Sequence, residues 1–393
     1  MPGQRWLALV VLFVARGSMG YQFQSVASLA APIDAEFQIG YAAIGTLVGL
    51  YTIPGALLSL PGGLVGARFG DRTVCLAGLL LMIGGGLLTC VGDTVLPLTA
   101  GRLISGAGSI LFNLVLTKMA TDWFAGREIV FAMGTLMSSW PFGIALGLIA
   151  QGRIAEALGW RASMAVAALL CLLSLVLVLM LYRPPPDARP VAAGGGTWWS
   201  PPDRSSLQSL LIACVAWGVF NLGLITLLSF GAAHLVRRGW TMLDATAVVS
   251  IPLWIAILSI PVGGFFVQRS RSPGLMACLS YLAVSGALVA LCLDTWPILA
   301  CIALGLAIGP GPGAIMALPS RVLRPQHRIT GFGIFGSVYG VIVGIGPWLA
   351  GQLVEAAHTP AAALLLGAGL FAACVPLTIL FEATVRGADT PPR

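Results

Sequence analysis

Charge is scarce in this chain. Only 9% of its 393 residues are charged, against about 25% in an ordinary soluble domain. A water-soluble globular protein is thereby excluded, and a 58% hydrophobic composition with mean hydropathy +0.95 indicates that most of the chain lies in lipid. Acids are scarcer than bases, and all fourteen Asp and Glu fall in loops or at the ends of apolar segments. A proton-coupled exporter of cations relies on a buried carboxylate that titrates and attracts its cargo. No mid-segment acid is available for that role, so an anionic or neutral solute fits better. Metal chemistry lacks ligands too. The eight cysteines are scattered without metal spacing and the three histidines are widely separated. The cysteines read as small buried apolar residues. No hydrolase elbow, Walker loop, zincin pattern or cysteine–histidine cluster appears, so neither an enzyme nor a cofactor is expected. Gly331-Phe-Gly333-Ile-Phe-Gly336 formally matches G-x-G-x-x-G. It lacks the preceding strand a nucleotide site needs, and reads as small residues that let helices approach.

Long apolar runs are what the chain has in abundance. Hydropathy predicts twelve spans, near 6–31, 41–65, 73–92, 95–118, 128–151, 161–182, 207–234, 242–267, 273–292, 296–318, 329–352 and 361–381. The first is too long for a signal-peptide core and carries no small-residue cleavage site after a short one. Between spans 6 and 7 lies RPPPDARPVAAGGGTWWSPPDRSS, residues 183–206. Its six prolines and glycine triplet forbid regular structure, and Trp198 and Trp199 suit a membrane interface. The expected architecture is therefore an all-α membrane protein of two six-helix bundles, residues 1–182 and 207–393, joined by this linker. A faint repeat at an offset of about 201 residues supports the division: Pro61-Gly62-Gly63 corresponds to Pro261-Val262-Gly263-Gly264, Arg127 to Arg328, and Gly17 to Gly218.

The net charge of +7 has a membrane explanation and need not mean nucleic acid. With both termini cytoplasmic, fifteen Lys and Arg lie inside and only Arg153, Arg161, Arg237 and Arg238 outside. That is a marked positive-inside bias.

Arg16 is the anomaly. It sits ten residues into the first span, about 15 Å along a helix, where a guanidinium costs at least ~2.5–3.5 kcal/mol. No acid on that helix pairs with it. It should face a water-filled cavity or a bound anion, unless it snorkels to the interface. On a helical wheel Gly20 and Phe23 lie within about 60° of it and Gln24 at about 80°. Gly20 would leave room for a solute. A coupled proton would travel on the solute itself or on His234, near the outer end of span 7, where a lone histidine is otherwise structural. The consecutive elements of Gly309-Pro310-Gly311-Pro312-Gly313 should break span 10, with Pro310 and Pro312 as a hinge.

The loop Gly63-Leu-Val-Gly-Ala-Arg68-Phe-Gly-Asp71-Arg72 resembles the signature loop of the major facilitator superfamily (MFS), G-x-L-A-D-R-x-G-R-K/R. Gly63, Arg68, Gly70 and Arg72 match. Ala67 replaces the usual aspartate, and Asp71 is the acid nearest to taking its part. Leu98-x-x-x-Arg102-x-x-Ser105-Gly106-x-Gly108 resembles the family's second motif, and Gly159-Trp160-Arg161 is another sequence common in it. Span 4 and the first-helix arginine are loosely similar to bacterial cyanate and nitroimidazole transporters. SSWPFGIALG around Pro141 matches the antiporter motif poorly, which disfavours obligate antiport. The resemblance implies the MFS fold: two pseudo-symmetric bundles that bind solute at the midplane and alternate access across a bacterial inner membrane.

On that resemblance the substrate-binding candidates are Arg16, Gly20, Phe23, Gln24, Asn113, Trp140, Asn221 and Tyr339, with Ser138, Ser139 and Trp254 as seconds. Arg68, Asp71, Arg72, Arg102 and His234 are the gating or coupling candidates. For Arg102 the alternative is an interfacial arginine tying down backbone carbonyls. The expected partners are a small, anionic solute, the bilayer and a co-transported proton, with a monomer as the working unit. An exporter of neutral or amphipathic compounds, and a non-transporting sensor on the same fold, are the alternatives.

Overall fold

The computed structural model describes residues 2–124, 128–185, 202–293, 296–324 and 327–388. Most of the linker, with Trp198 and Trp199, and Arg127 lie outside the described residues. The described residues form fifteen helices and no strand: α1 (Pro2–Ser28), α2 (Ala30–Phe37), α3 (Gly40–Gly49), α4 (Pro54–Phe69), α5 (Asp71–Val91), α6 (Val95–Phe124), α7 (Ile129–Leu158), α8 (Trp160–Leu181), α9 (Arg204–Arg237), α10 (Met242–Arg269), α11 (Pro273–Cys292), α12 (Pro297–Ala307), α13 (Pro310–Val322), α14 (Arg328–Ala357) and α15 (Ala361–Ala388). Among the described residues twelve helical spans are long and apolar enough to cross a membrane. The chain is a multi-pass, all-helical membrane protein.

Two spans are broken, and proline breaks both. Span 10 stops at Ala307 and restarts at Pro310, with Gly311 N donating back to Ile308 O at 3.2 Å across the gap. Span 2 stops at Gly49 and restarts at Pro54. Hydropathy had this span continuous. Pro54 has no N–H to offer the preceding turn, and tight turns take over, from Thr52 N to Gly49 O and from Gly55 N to Thr52 O, both 2.9 Å. The short helix α2, on the loop between spans 1 and 2, was not expected either. It ends at Gln38, whose left-handed φ of 53° turns the chain.

Polar anchors sit at the ends of spans. Asp203 caps α9, accepting from Ser206 N at 3.3 Å and from the Ser206 hydroxyl at 2.9 Å. The Ser205 and Ser206 hydroxyls hold its carboxyl well down, at about 2, so the cap stays charged. Glu36 on α2 accepts from Arg161 at 2.7 Å and from Trp160 Nε1 at 2.7 Å. Arg161 first and Trp160 second keep its carboxyl below the usual range.

The end of the bundle bearing Arg5, Arg68, Arg72, Lys118, Arg269 and Arg321 is called here the basic end. The halves meet along a seam that runs the length of the molecule, with α3 and α4 against α14, and α7 against α10. Glycines set the approach. A Cβ on Gly45 or Gly49 would overlap the carbonyl oxygens of Pro347 and Gly344. Towards the basic end, a Cβ on Gly336 would sit 2.7 Å from Ser59 Cβ. At the opposite end Glu355 Oε1 accepts from Ala42 N at 2.9 Å. The last turn of α14 thus supplies an acid to the first turn of α3, the end of a helix that favours negative charge.

Candidate functional site

The site is best built from a proline. Pro141 lies inside α7 and is buried. It has no N–H, so the carbonyl four residues earlier, Met137 O, loses its helical donor. Arg16, midway along α1, fills the gap. Its Nη1 donates to Leu136 O at 2.9 Å and to Met137 O at 3.3 Å, with Met137 Sδ at 3.5 Å. Gly143 of α7 lets α1 come this close, since a Cβ there would overlap the Gly17 carbonyl oxygen. A mid-membrane arginine is tolerable when backbone carbonyls take its donors in this way.

The carbonyls do not use the whole guanidinium. Among the described residues Nε is buried without a hydrogen-bond partner, and Nη2 donates to none. Arg16 forms no ion pair among the described residues, and its side chain is only half-buried although it lies at the middle of the bundle. Tyr339 of α14, from the other half, is within electrostatic reach. A partly accessible cation at mid-span, between the halves, is suited to holding an anion.

Aromatic pairs join α1 to α7 on either side of Arg16 along α1. Trp140 packs on Phe23 with centroids 5.4 Å apart. Phe142 meets Phe13 at 5.5 Å and, across the seam, Trp254 at 5.7 Å. Tyr339 lies 6.4 Å from Trp217, whose carbonyl accepts from Asn221 Nδ2 at 2.8 Å. Tyr339, Trp217 and Asn221 therefore form one connected series in the second half, with Tyr339 within electrostatic reach of Arg16 in the first.

Other candidates lie elsewhere. Gly20 does not open space, because a Cβ there would stand 2.7 Å from Trp140 O; it is a packing residue between α1 and α7. Gln24 is buried and donates to Leu228 O of α9 at 3.2 Å, away from Arg16. Asn113 is exposed on α6 and bonds to no described residue. Ser138 and Ser139 donate to carbonyls of their own helix, Thr135 O and Leu136 O, at 2.8 and 2.6 Å.

Arg102 is 1% exposed and clamps backbone. Its Nε donates to Leu47 O at 2.9 Å, Nη1 to Gln22 O at 3.0 Å and Nη2 to Phe23 O at 3.0 Å. The Tyr51 ring lies beneath it at 4.6 Å. In the signature loop, Asp71 pairs with Lys118 of α6, which also holds Asp122 at 3.0 Å. Arg72 donates to Leu179 O of α8 at 3.0 Å, and Arg68 is exposed over the Phe69 ring. The contacts of Asp71 and Arg72 stay within the first half. His234 is buried in α9. A separate depression of about 420 Å³, lined by Tyr41, Arg237, Glu355 and His358, lies at the end opposite the basic end, remote from Arg16.

Two features escaped the sequence reading. One is the Met137 carbonyl, which the four-residue offset from Pro141 would have revealed. The other is Glu355 on the first turn of α3, for which no local signal exists.

Comparison with known proteins agrees with this architecture. The family model of the Major Facilitator Superfamily matches residues 12–328 and 237–393. The chain belongs to that superfamily, a family of membrane transporters and not of enzymes. It is 24% identical over 386 residues to a hexuronate transporter of Bacillus subtilis, covering 92% of this chain and 91% of the relative. It is 22% identical to a lysosomal dipeptide transporter of Danio rerio, covering 88% and 80%. A nitrite extrusion protein of Bacillus subtilis is 23% identical over 35% of each chain. Among solved structures, a bacterial homolog of the human lysosomal transporter Spinster, in an inward-facing and occupied conformation, matches with TM-score 0.69 and 16% identity over 97% of this chain and 96% of that one.

Proposed function

We propose that this protein is a secondary transporter of a small anionic solute, working by alternating access, with Arg16 holding the anionic group. The observation that carries this reading is the unsatisfied face of a half-buried guanidinium at mid-span, in a chain whose spans hold no mid-membrane acid. Tyr339 and Asn221 would complete the site from the second half, and Trp140 and Phe23 would form its wall. The hexuronate transporter supports the reading, since a hexuronate carries a carboxylate and the likeness spans nearly the whole of both chains. The break at Gly309-Pro310 would be a hinge, and Arg68, Asp71 and Arg72 would secure the basic end when it closes. By the positive-inside rule the basic end and both termini face the cytoplasm of a cell whose inner membrane holds the protein as a monomer.

A second reading, export of neutral or amphipathic compounds, draws on the aromatic cluster of Phe13, Phe142 and Trp254. One experiment separates the two: melting of the purified protein with hexuronates, nitrite, a neutral hexose and hydrophobic cations, beside Arg16→Ala. A ligand of the folded state raises the melting temperature by mass action. Stabilisation by an anion, with its midpoint weakened ~10–100-fold in Arg16→Ala, is expected for the loss of a charged hydrogen bond of ~1.5–3 kcal/mol. Stabilisation by neutral or cationic compounds, unaltered in the variant, would overturn the anion reading and favour the exporter.

A further inference from the structure

A second polar cluster lies at the end opposite the basic end, where α1, packed on α7, meets α9 of the other half. Gln24 Nε2 donates across the seam to Leu228 O at 3.2 Å, and Gln151 Nε2 donates to Tyr21 O at 2.8 Å. With both amide nitrogens engaged on carbonyls, both side-chain oxygens are fixed as acceptors. Tyr21 Oη lies beside the Gln151 amide and interacts with it, while neither Gln24 Oε1 nor Gln151 Oε1 has a hydrogen-bond partner among the described residues. The same holds for Ser28 Oγ, one turn along α1 from Gln24, and for Ser229 Oγ, next to Leu228. All five side chains are at least nine-tenths buried, Gln151 completely. Gly147 lets the two amides gather: a Cβ there would lie 3.3 Å from Gln151 Nε2 and 3.3 Å from Gln24 Cβ.

Orphaned acceptors are destabilising wherever they are buried, and several together, all neutral oxygens, suit a ligand of positive charge. We propose that this cluster is a sodium site, formed from both halves and complete only while they are closed at this end, and that sodium is the ion coupled to solute transport. The coupling rests on the transport reading above; the binding does not. A divalent ion would need carboxylates, and no acid lies mid-span. Neutral hydroxyl and amide oxygens are enough for a monovalent ion. Gln24 is eight residues from Arg16, about 12 Å along the helix. Sodium here would offset an anion held there without touching it. Because its ligands come from both halves, sodium would bind the state closed at this end more tightly and shift the equilibrium towards it.

The test uses the purified full chain without solute. Its melting temperature is measured in sodium, potassium and choline chloride at equal ionic strength. Sodium should raise it saturably and the other two should not. Gln24→Leu and Gln151→Leu should each weaken the sodium midpoint by ~10-fold or more, as the loss of groups at a metal site does. If either leucine variant fails to fold, Gly147→Ala serves instead, since its methyl group crowds both amides; the same loss is expected. Equal melting in the three salts, or a sodium shift retained in the variants, would overturn the site. A sodium shift without sodium-dependent solute flux in liposomes would overturn the coupling alone. An anion that stabilises through Arg16 without any sodium effect would leave the transport reading standing and sink this one.

Discussion

Arg102→Ala is expected to cost the fold more than removal of any other charge, by about 2–3 kcal/mol, the range for losing a charged donor and leaving a buried carbonyl acceptor unpaired. The reason lies in the break of span 2. Helix α3 ends at Gly49, and Tyr51 N bonds to Val48 O at 3.3 Å. The donor that a continuous helix would have supplied to Leu47 O is thus diverted. Arg102 Nε takes its place at 2.9 Å while the other two nitrogens hold α1 through Gln22 O and Phe23 O. A cation near the end of α3 also faces the negative pole of that helix. Alanine would leave Leu47 O without its donor and remove the tie between α1 and α3. Lysine should rescue little, because a single ammonium cannot match three donors set in a planar fork. The measurement is melting of the purified Arg102→Ala and Arg102→Lys proteins beside their solute flux. A low melting temperature in both supports the clamp. Wild-type melting with flux lost would instead make Arg102 a gating or coupling residue.

The same geometry shows what could be read from the sequence and what could not. Hydropathy was sufficient for the twelve spans because crossing a bilayer demands length and apolarity, which are local properties. It missed the break in span 2 because a proline inside an apolar run leaves the average unchanged. Arg16 stood out because charge at that depth is rare, but its partners did not, since Leu136 and Met137 are more than a hundred residues away in the chain. Gln24 was placed beside Arg16 on a helical wheel, and a wheel reports an angle without the neighbour that meets it. Its neighbour is Leu228 O, in the other half. Arg16 and Arg102 share one feature: each donates to a carbonyl of another span that has lost its regular helical donor, to a proline in one case and to a tightened turn in the other. Pro141 opens Met137 O, and the tightened turn at Tyr51 opens Leu47 O. Offsets from proline are visible in any sequence, whereas which arginine reaches them is a matter of tertiary packing.

Gly49→Ala should abolish transport while sparing the fold. Its methyl group would collide with the Gly344 carbonyl oxygen on α14, and a backbone atom cannot swing aside as a side-chain tip can. Helices α3 and α14 would have to separate. If the two halves rock against each other, that contact exists only in the state closed at this end, and the open state tolerates the methyl without strain. The variant should then be trapped open, folded, and lower in flux by at least ~100-fold, the effect of shifting a two-state equilibrium by about 3 kcal/mol. Gly143→Ala is the control. Its methyl meets the Gly17 carbonyl in the same manner, but α1 and α7 belong to one half and stay packed in every state. It should lower the melting temperature whichever end is open. Measuring melting and flux for both variants decides the matter. Equal destabilisation would mean that the seam between α3 and α14 is as permanent as the packing within a half, and normal flux in Gly49→Ala would mean that the seam need not close at all.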